Sequence, residues 1–101
     1  MHVELLVFPD CPHAENARRQ LRRAFELVEL PASWSERDIS APGTSNEVAA
    51  FGSPTILVDG HDVDEAPTRA GVTCRIYAGS ELTGAPRLNA IVAALRKCTP
   101  T

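Results

Sequence analysis

The chain has 101 residues, of which 44% are hydrophobic and 23% are charged, and its formal net charge at pH 7 is −3. This length predicts a single domain over residues 1–101 with one modest core, and the ordinary hydrophobic fraction argues against disorder. The charge gives no reason to expect nucleic acid or an anionic membrane as a partner, and no apolar run is long enough to span a bilayer.

The three cysteines, Cys11, Cys74 and Cys98, are widely spaced along the chain. An odd number at this spacing argues against a structural disulfide framework. The first predicted strand begins at once, and no basic region or small-residue cleavage site of a secretory signal precedes it. We therefore expect a reducing, cytoplasmic location in which the thiols stay free.

The first predicted elements are a strand and a helix that meet at Cys11. The apolar run 2–8 has the length and branching of a buried strand. Apolar residues recur at helical spacing over 14–28, and this helix is expected to run to Leu30, where Pro31 closes it. The strand and the helix form a crossover unit, which predicts a parallel neighbour for the first strand.

Cys11 falls at the junction between this strand and this helix, and Pro12 follows it where a first helical residue tolerates proline. A thiol at this point lies near unpaired backbone N–H groups and the positive end of the helix dipole, and both favour the thiolate. The thiolate is the nucleophile of cysteine chemistry and the form that binds metals. Cys11 is therefore the first candidate for a functional residue.

Three further strands are predicted after the first helix. The second strand, 34–39, alternates only weakly between polar and apolar residues. Residues 54–58 are typical of a buried strand, and the tight turn at 59–60 joins it to an antiparallel partner at 61–63. A shorter extended piece is expected at 74–77.

Two more helices complete the prediction. Thr44 and Glu47 have the spacing of a capping box for a short helix that ends at Phe51, and the last helix is expected to begin at Arg87. The order is β-α-β-α-β-β-α. It predicts an α/β domain with a mixed four-stranded sheet and helices on both faces.

This order of elements, the Cys-Pro-His junction at 11–13 and the Ser-Pro-Thr entry to the third strand at 53–55 resemble the thioredoxin superfamily. The resemblance implies a thioredoxin-like fold in which Pro54 follows a cis peptide bond and faces the reactive sulfur, so that it helps Pro12 to position a substrate. The dipeptide after the cysteine is that of bacterial periplasmic disulfide oxidases. By this resemblance His13, which we expect to be solvent-exposed, stabilises the thiolate.

The chain departs from the superfamily at Ala14, which stands where the second cysteine of the motif belongs. Glutaredoxins with one motif cysteine work through glutathione, but this chain lacks their basic residue before the cysteine and their Gly-Gly pair after the last strand. Asp10 also has the wrong sign to help a thiolate or to receive a glutathione carboxylate. The pattern at 52–60, with the later Thr-Cys-Arg-Ile-Tyr at 73–77, resembles a group of small bacterial thioredoxin-like proteins, some of which carry an organomercurial-lyase label.

We therefore expect thiol–disulfide exchange with Cys11 as the nucleophile and with protein or small-molecule thiols and disulfides as partners. No cofactor is expected. Cys74 either approaches Cys11 as the resolving thiol or is a core cysteine on a short strand. Cys98, at the end of the last helix, is expected to be a bystander.

Two other interpretations stay open from the sequence. In the first, Cys11 and Cys74 bind a soft metal ion such as Cu(I), or mercury, which accepts two thiolates in a line. In the second, Ala14 marks a thioredoxin fold without redox activity that serves as an interaction module. Ordinary structural roles are expected for several loop acids and for two aromatic residues: Asp10, Asp62, Asp64, Trp34 and Tyr77.

Overall fold

The structure is a computed structural model that describes residues 1–46, 51–64, 77, 80–82 and 84–98. The regular elements in this part of the chain are β1 (Val3–Val7), α1 (Ala14–Leu27), β2 (Ser35–Asp38), β3 (Thr55–Val58), β4 (His61–Asp62) and α2 (Leu88–Cys98). Most of the short helix predicted from Thr44 lies at 47–50, outside the described residues. The extended piece predicted at 74–77 is outside them too, except for Tyr77.

The four strands form one mixed sheet in the order β2-β1-β3-β4. β1 pairs with β2 in parallel, as the α1 crossover predicts, so that Leu5 lies opposite Glu36. β1 also pairs with β3, but antiparallel, and β3 turns back into β4 through a tight turn. Asp59 and Gly60 in this turn have φ of 50° and 82°, which suits a two-residue hairpin. The predicted mixed four-stranded sheet is confirmed.

The larger core lies between one face of the sheet and both helices. Every second residue of β1 faces it, as do the corresponding residues of β3, because side chains alternate between the two faces of a strand. Its fully buried members come from β1, α1, β3, the segment before α2, and α2: Val3, Leu5, Ala17, Leu21, Ala24, Phe25, Ile56, Val58, Ala85, Ile91 and Leu95. Within the described residues both helices therefore cover the same face. The predicted helix on the opposite face stays a prediction, because most of the short helix expected from Thr44 lies outside the described residues.

A smaller core lies on the opposite face of the sheet, where Leu6, Ile39 and Leu57 are buried together with the partly buried Phe8 and Phe51. Both faces of β1 and β3 are thus covered by apolar side chains. This double burial explains the nearly continuous apolar runs in these two strands, since neither face needs polar residues.

β2 is an edge strand, and all four of its residues are exposed. The weak alternation of its sequence follows from this position, because neither of its faces is buried. Glu36 holds the strand to α1: its carboxylate accepts two hydrogen bonds from the Arg18 guanidinium, both of 2.9 Å, and one of 3.1 Å from the Trp34 indole. The indole ring also stacks on Phe25, with ring centroids 6.3 Å apart.

α1 ends earlier than predicted, at Leu27 rather than Leu30. Glu29 adopts a left-handed conformation with φ of 57°. Its N–H donates to the carbonyl of Glu26, and the N–H of Leu30 donates to the carbonyl of Phe25. These are the two hydrogen bonds of a Schellman motif, so the backbone closes the helix before Pro31 is reached. Neither helix in the described part of the chain has the length and apolar character needed to cross a membrane.

Candidate functional site

Cys11 lies between the carboxyl end of β1 and the start of α1, as the sequence predicts. Its N–H donates to the carbonyl of Phe8 at 3.3 Å, and its own carbonyl accepts the N–H of Ala14 at 3.3 Å. Asp10, directly before it, has a left-handed φ of 65°. Two successive turns therefore fix the backbone of Cys11, and 9% of the residue is exposed to solvent.

The start of α1 differs from the prediction by two residues. The first helical residue is Ala14 and the N-cap is His13, so Pro12 precedes the helix instead of opening it. Pro12 is exposed beside the cysteine. His13 makes no side-chain capping hydrogen bond, so its imidazole does not satisfy the unpaired backbone N–H groups of the first turn of α1.

The loop that enters β3 lies beside the turn that holds Cys11. The register of β1 and β3 places Leu6 opposite Thr55, and the N–H of Phe8 donates to the hydroxyl of Ser53 at 3.3 Å. The peptide bond between Ser53 and Pro54 is cis, as predicted. We call this part of the molecule, where β1 ends and β3 begins, the thiol end of the sheet.

Two hydroxyl groups fix the loop at 51–54. The Thr55 hydroxyl donates toward the carbonyls of Gly52 and Phe51, at 3.0 and 3.2 Å. The buried phenol of Tyr77 donates to the carbonyl of Pro54 at 2.6 Å. The sequence predicts only a packing role for Tyr77, because no local pattern links a residue so far along the chain to the entry of β3.

His13 is half-buried rather than exposed. Its imidazole lies directly against Gly84, so closely that a Cβ on Gly84 would overlap the ring. Gly84 belongs to the segment that precedes α2. The contact joins the start of the first helix to this late segment, and nothing in the local sequence around either residue predicts it.

Acidic groups are found at the thiol end of the sheet. Asp10 is exposed next to Cys11. Asp38 ends β2 opposite Val7, and its carboxylate accepts hydrogen bonds from the N–H and the hydroxyl of Ser40, at 2.8 and 2.6 Å. This end of the sheet therefore carries two carboxylates, one of them adjacent to Cys11 in the chain.

Cys98 lies at the opposite end of the sheet, near the turn between β3 and β4. Its side chain lines a cleft beside this turn together with Val58 and His61. The pKa of Asp59 is held below its ordinary value, chiefly by the backbone N–H of His2, which donates to this carboxylate at 2.7 Å, and further by the nearby N-terminal amino group and the Cys98 thiol. Cys98 is therefore separate from the Cys11 site.

Asp64 is another residue whose role differs from the prediction. It is buried rather than an ordinary loop acid. Its two carboxylate oxygens accept three hydrogen bonds from Arg87, from the backbone N–H at 2.9 Å and from the guanidinium at 3.1 and 2.9 Å. The carboxylate thereby fixes the start of α2 to the end of β4, which is a structural role.

Cys74 lies outside the described residues. Its predicted approach to Cys11, as resolving thiol or as second metal ligand, stays a prediction. In the described part of the chain, no three or more His, Cys, Asp and Glu side chains come together in a group that could hold a metal ion. Of the predicted site residues, Cys11, Pro12, His13 and Pro54 therefore lie at or beside the thiol end of the sheet.

Comparisons of the chain with protein-family models, with curated proteins and with solved structures find no match. The functional interpretation therefore depends on the residues and geometry of the thiol end of the sheet.

Proposed function

We propose that the chain has a thioredoxin-like fold and carries out thiol–disulfide exchange with Cys11 as the nucleophile. The observation that carries this proposal is the position of Cys11, held by two turns between β1 and α1 and next to the loop that leads through Pro54 into β3. The parallel pairing of β1 with β2 and the antiparallel β3–β4 hairpin support the proposed fold.

In the proposed reaction, the Cys11 thiolate attacks one sulfur of a substrate disulfide. A new sulfur–sulfur bond forms, the substrate bond breaks, and the other substrate sulfur leaves as a thiolate. Ala14 has no sulfur, so a second thiol must attack Cys11 in the mixed disulfide. If Cys74 attacks, a Cys11–Cys74 disulfide forms and the released substrate is a dithiol that has gained two electrons.

Asp10 and Asp38 influence which substrates suit this site. Their carboxylates disfavour an anionic partner such as a peptide with a free carboxylate beside its sulfur, because like charges repel at short range. We propose neutral or cationic thiols and disulfides as the substrate class.

The test is a titration of free thiols before and after mild oxidation, followed by mapping of any disulfide by mass spectrometry. We expect an intramolecular Cys11–Cys74 disulfide in the wild type, which requires their Cα atoms to come within about 7 Å. The disulfide is lost in Cys11→Ser and in Cys74→Ser. The matched control is Cys98→Ser, which removes a thiol at the other end of the sheet and leaves the disulfide unchanged.

The alternative interpretations give different results in the same experiment. Oxidation that yields only dimers joined through Cys11 contradicts a resolving role for Cys74. Protection of Cys11 and Cys74 by stoichiometric Hg²⁺, without any disulfide on oxidation, supports a binding protein for soft metals. If Cys11 neither oxidises nor binds Hg²⁺, the result supports the remaining interpretation, an interaction module without redox activity.

A further inference from the structure

The contact between His13 and Gly84 leaves no room for a side chain at position 84. A Cβ built on Gly84 overlaps three atoms of the imidazole ring, including the ring carbon that is attached to the rest of the side chain. Rotation of the ring about its own bond does not remove this overlap, because that carbon stays in place. The whole His13 side chain would have to move.

The segment before α2 (residues 80–82 and 84–87) is anchored on both sides of Gly84. On one side, the Glu81 carboxylate accepts hydrogen bonds from the Gln20 amide and the Leu88 N–H, both at 3.1 Å. On the other side, the Pro86 carbonyl accepts a second hydrogen bond from Gln20, at 3.3 Å.

Two further contacts hold the same segment. Ala85 is fully buried in the larger core, and Arg87 is bound to the buried Asp64. Gly84 itself has a left-handed φ of 73°, which glycine adopts without the strain that an L side chain incurs. Because the segment is held at several points, a side chain at position 84 displaces His13 rather than the segment.

We propose that Gly84 is a positioning residue for the thiol site. Its lack of a side chain allows the segment before α2 to lie on the His13 imidazole and to keep that ring in one place at the start of α1, two residues after Cys11. This inference rests on the proposed function of Cys11, because a fixed position of the imidazole matters only if the Cys11 thiolate reacts.

The test compares Gly84→Ala with Gly60→Ala. Gly60 also has a left-handed φ, of 82°, but a Cβ there meets nothing within 4 Å, and it lies in the turn at the opposite end of the sheet. The two variants thus share the backbone strain and differ in the overlap with His13. Both are made in a Cys98→Ser background, so that iodoacetamide reports on Cys11, with Cys74 followed separately by peptide mapping.

We expect Gly84→Ala and His13→Ala to slow alkylation of Cys11 by a similar factor, about two- to fivefold, because the fixed imidazole no longer acts on the thiolate. Gly60→Ala leaves the rate unchanged. In the double variant His13→Ala/Gly84→Ala the overlap is gone, so Gly84→Ala causes no further slowing and lowers the Tm only as much as Gly60→Ala does.

One measurement requires no variant at Gly84. In the NMR spectrum of the wild type, the ring protons of His13 give nuclear Overhauser effects to the α protons of Gly84. Absence of this signal overturns the inference, as does a Cys11 rate that is equal in Gly84→Ala and Gly60→Ala. A Cys11 that reacts no faster in the folded wild type than in the unfolded chain overturns the proposed function instead.

Discussion

The two described cysteines differ in the groups that surround their sulfur atoms. Cys11 lies at the start of α1, whereas Cys98 is the last residue of α2 and lies near the Asp59 carboxylate. The start of a helix favours a negatively charged nucleophile, whereas the end of a helix and a nearby carboxylate disfavour one. Exposure to solvent favours reaction of Cys98 instead, because Cys11 is 9% exposed whereas Cys98 is only half-buried.

We predict that local chemistry outweighs exposure, and that iodoacetamide at neutral pH alkylates Cys11 severalfold faster than Cys98. Peptide mass spectrometry over a time course measures both rates in one sample. Asp59→Asn is the informative variant, because it removes the negative charge near Cys98 and is expected to speed the reaction of Cys98 without changing that of Cys11. Faster alkylation of Cys98 in the wild type would show that access to the sulfur dominates.

Asp10 is predicted to select against anionic reagents at Cys11. At about 4 Å two unit charges in water interact by about 1 kcal/mol, so Asp10→Asn raises the rate with iodoacetate, relative to iodoacetamide, about two- to fivefold at low ionic strength. Salt reduces the difference. Asparagine tolerates the left-handed φ at this position, so the variant changes charge alone.

Glu29→Gln is the matched control for this substitution. Glu29 is another exposed acid with a left-handed φ, at the far end of α1. A helix of this length spans about 20 Å, so the charge of Glu29 acts on the sulfur from a several times greater distance and interacts with it correspondingly less, even at low ionic strength. If the ratio of the iodoacetate rate to the iodoacetamide rate is the same in Asp10→Asn as in the wild type, the charge of Asp10 does not act at the Cys11 sulfur.

At the scale of the elements, Gln20 links α1 to the segment before α2. It is 3% exposed, and its amide donates to Glu81 and to the Pro86 carbonyl. Gln20→Leu keeps the volume but leaves the buried carbonyl without its donor, which is expected to cost about 1–3 kcal/mol of unfolding free energy.

Urea denaturation measures this loss, and Arg19→Gln on the neighbouring exposed position is the control, expected to change the stability by less than about 0.5 kcal/mol. A loss at Gln20 no larger than that of the control would mean that the amide adds nothing to the junction between α1 and the segment before α2.

The elements that the sequence predicts well are those whose pattern depends on local burial. β1 and β3 are apolar because both of their faces are covered, and the amphipathic α1 buries one face against the sheet. The end of α1 is predicted less well. It is set by a left-handed Glu29, a conformation for which glycine or asparagine, rather than glutamate, is the usual sequence signal.

At the scale of the whole molecule, paired surface carboxylates connect stability to pH. The Arg18 guanidinium holds the pKa of both Glu36 and Glu15 below their ordinary value of 4.5, chiefly through its hydrogen bonds. Carboxylates with a lowered pKa bind fewer protons in the folded chain than in the unfolded chain. Their contribution is complete above about pH 4.5 and is lost as the pH falls through the lower, folded pKa.

We therefore predict that Arg18→Gln makes the loss of stability between pH 6 and pH 3 shallower than in the wild type. Urea midpoints measured across this range give the slope. Arg23→Gln removes an equal charge from an exposed position of the same helix and is expected to keep the wild-type slope. Parallel curves for wild type and Arg18→Gln would contradict the assignment to this ion-pair group.

Only those features of the candidate site that depend on neighbouring residues in the chain can be predicted from the sequence. The position of Cys11 follows from a strand, a turn and a helix that are adjacent in the chain. The contacts of His13 with Gly84 and of Pro54 with Tyr77 join distant segments. Packing of the whole domain determines such contacts, and no periodicity or spacing near either residue encodes them.

The hydrogen bond between Tyr77 and Pro54 has a consequence for optical spectroscopy. Tyr77 is the single tyrosine of the chain and Trp34 the single tryptophan. The phenol is bonded at the thiol end of the sheet, whereas the indole lies just before β2, at the opposite end, where it stacks on Phe25. Each chromophore thus reports on one end of the same sheet. A ligand that shifts Pro54 changes the near-ultraviolet signal of the phenol and leaves that of the indole constant, so the unlabelled protein carries both a probe and its internal reference.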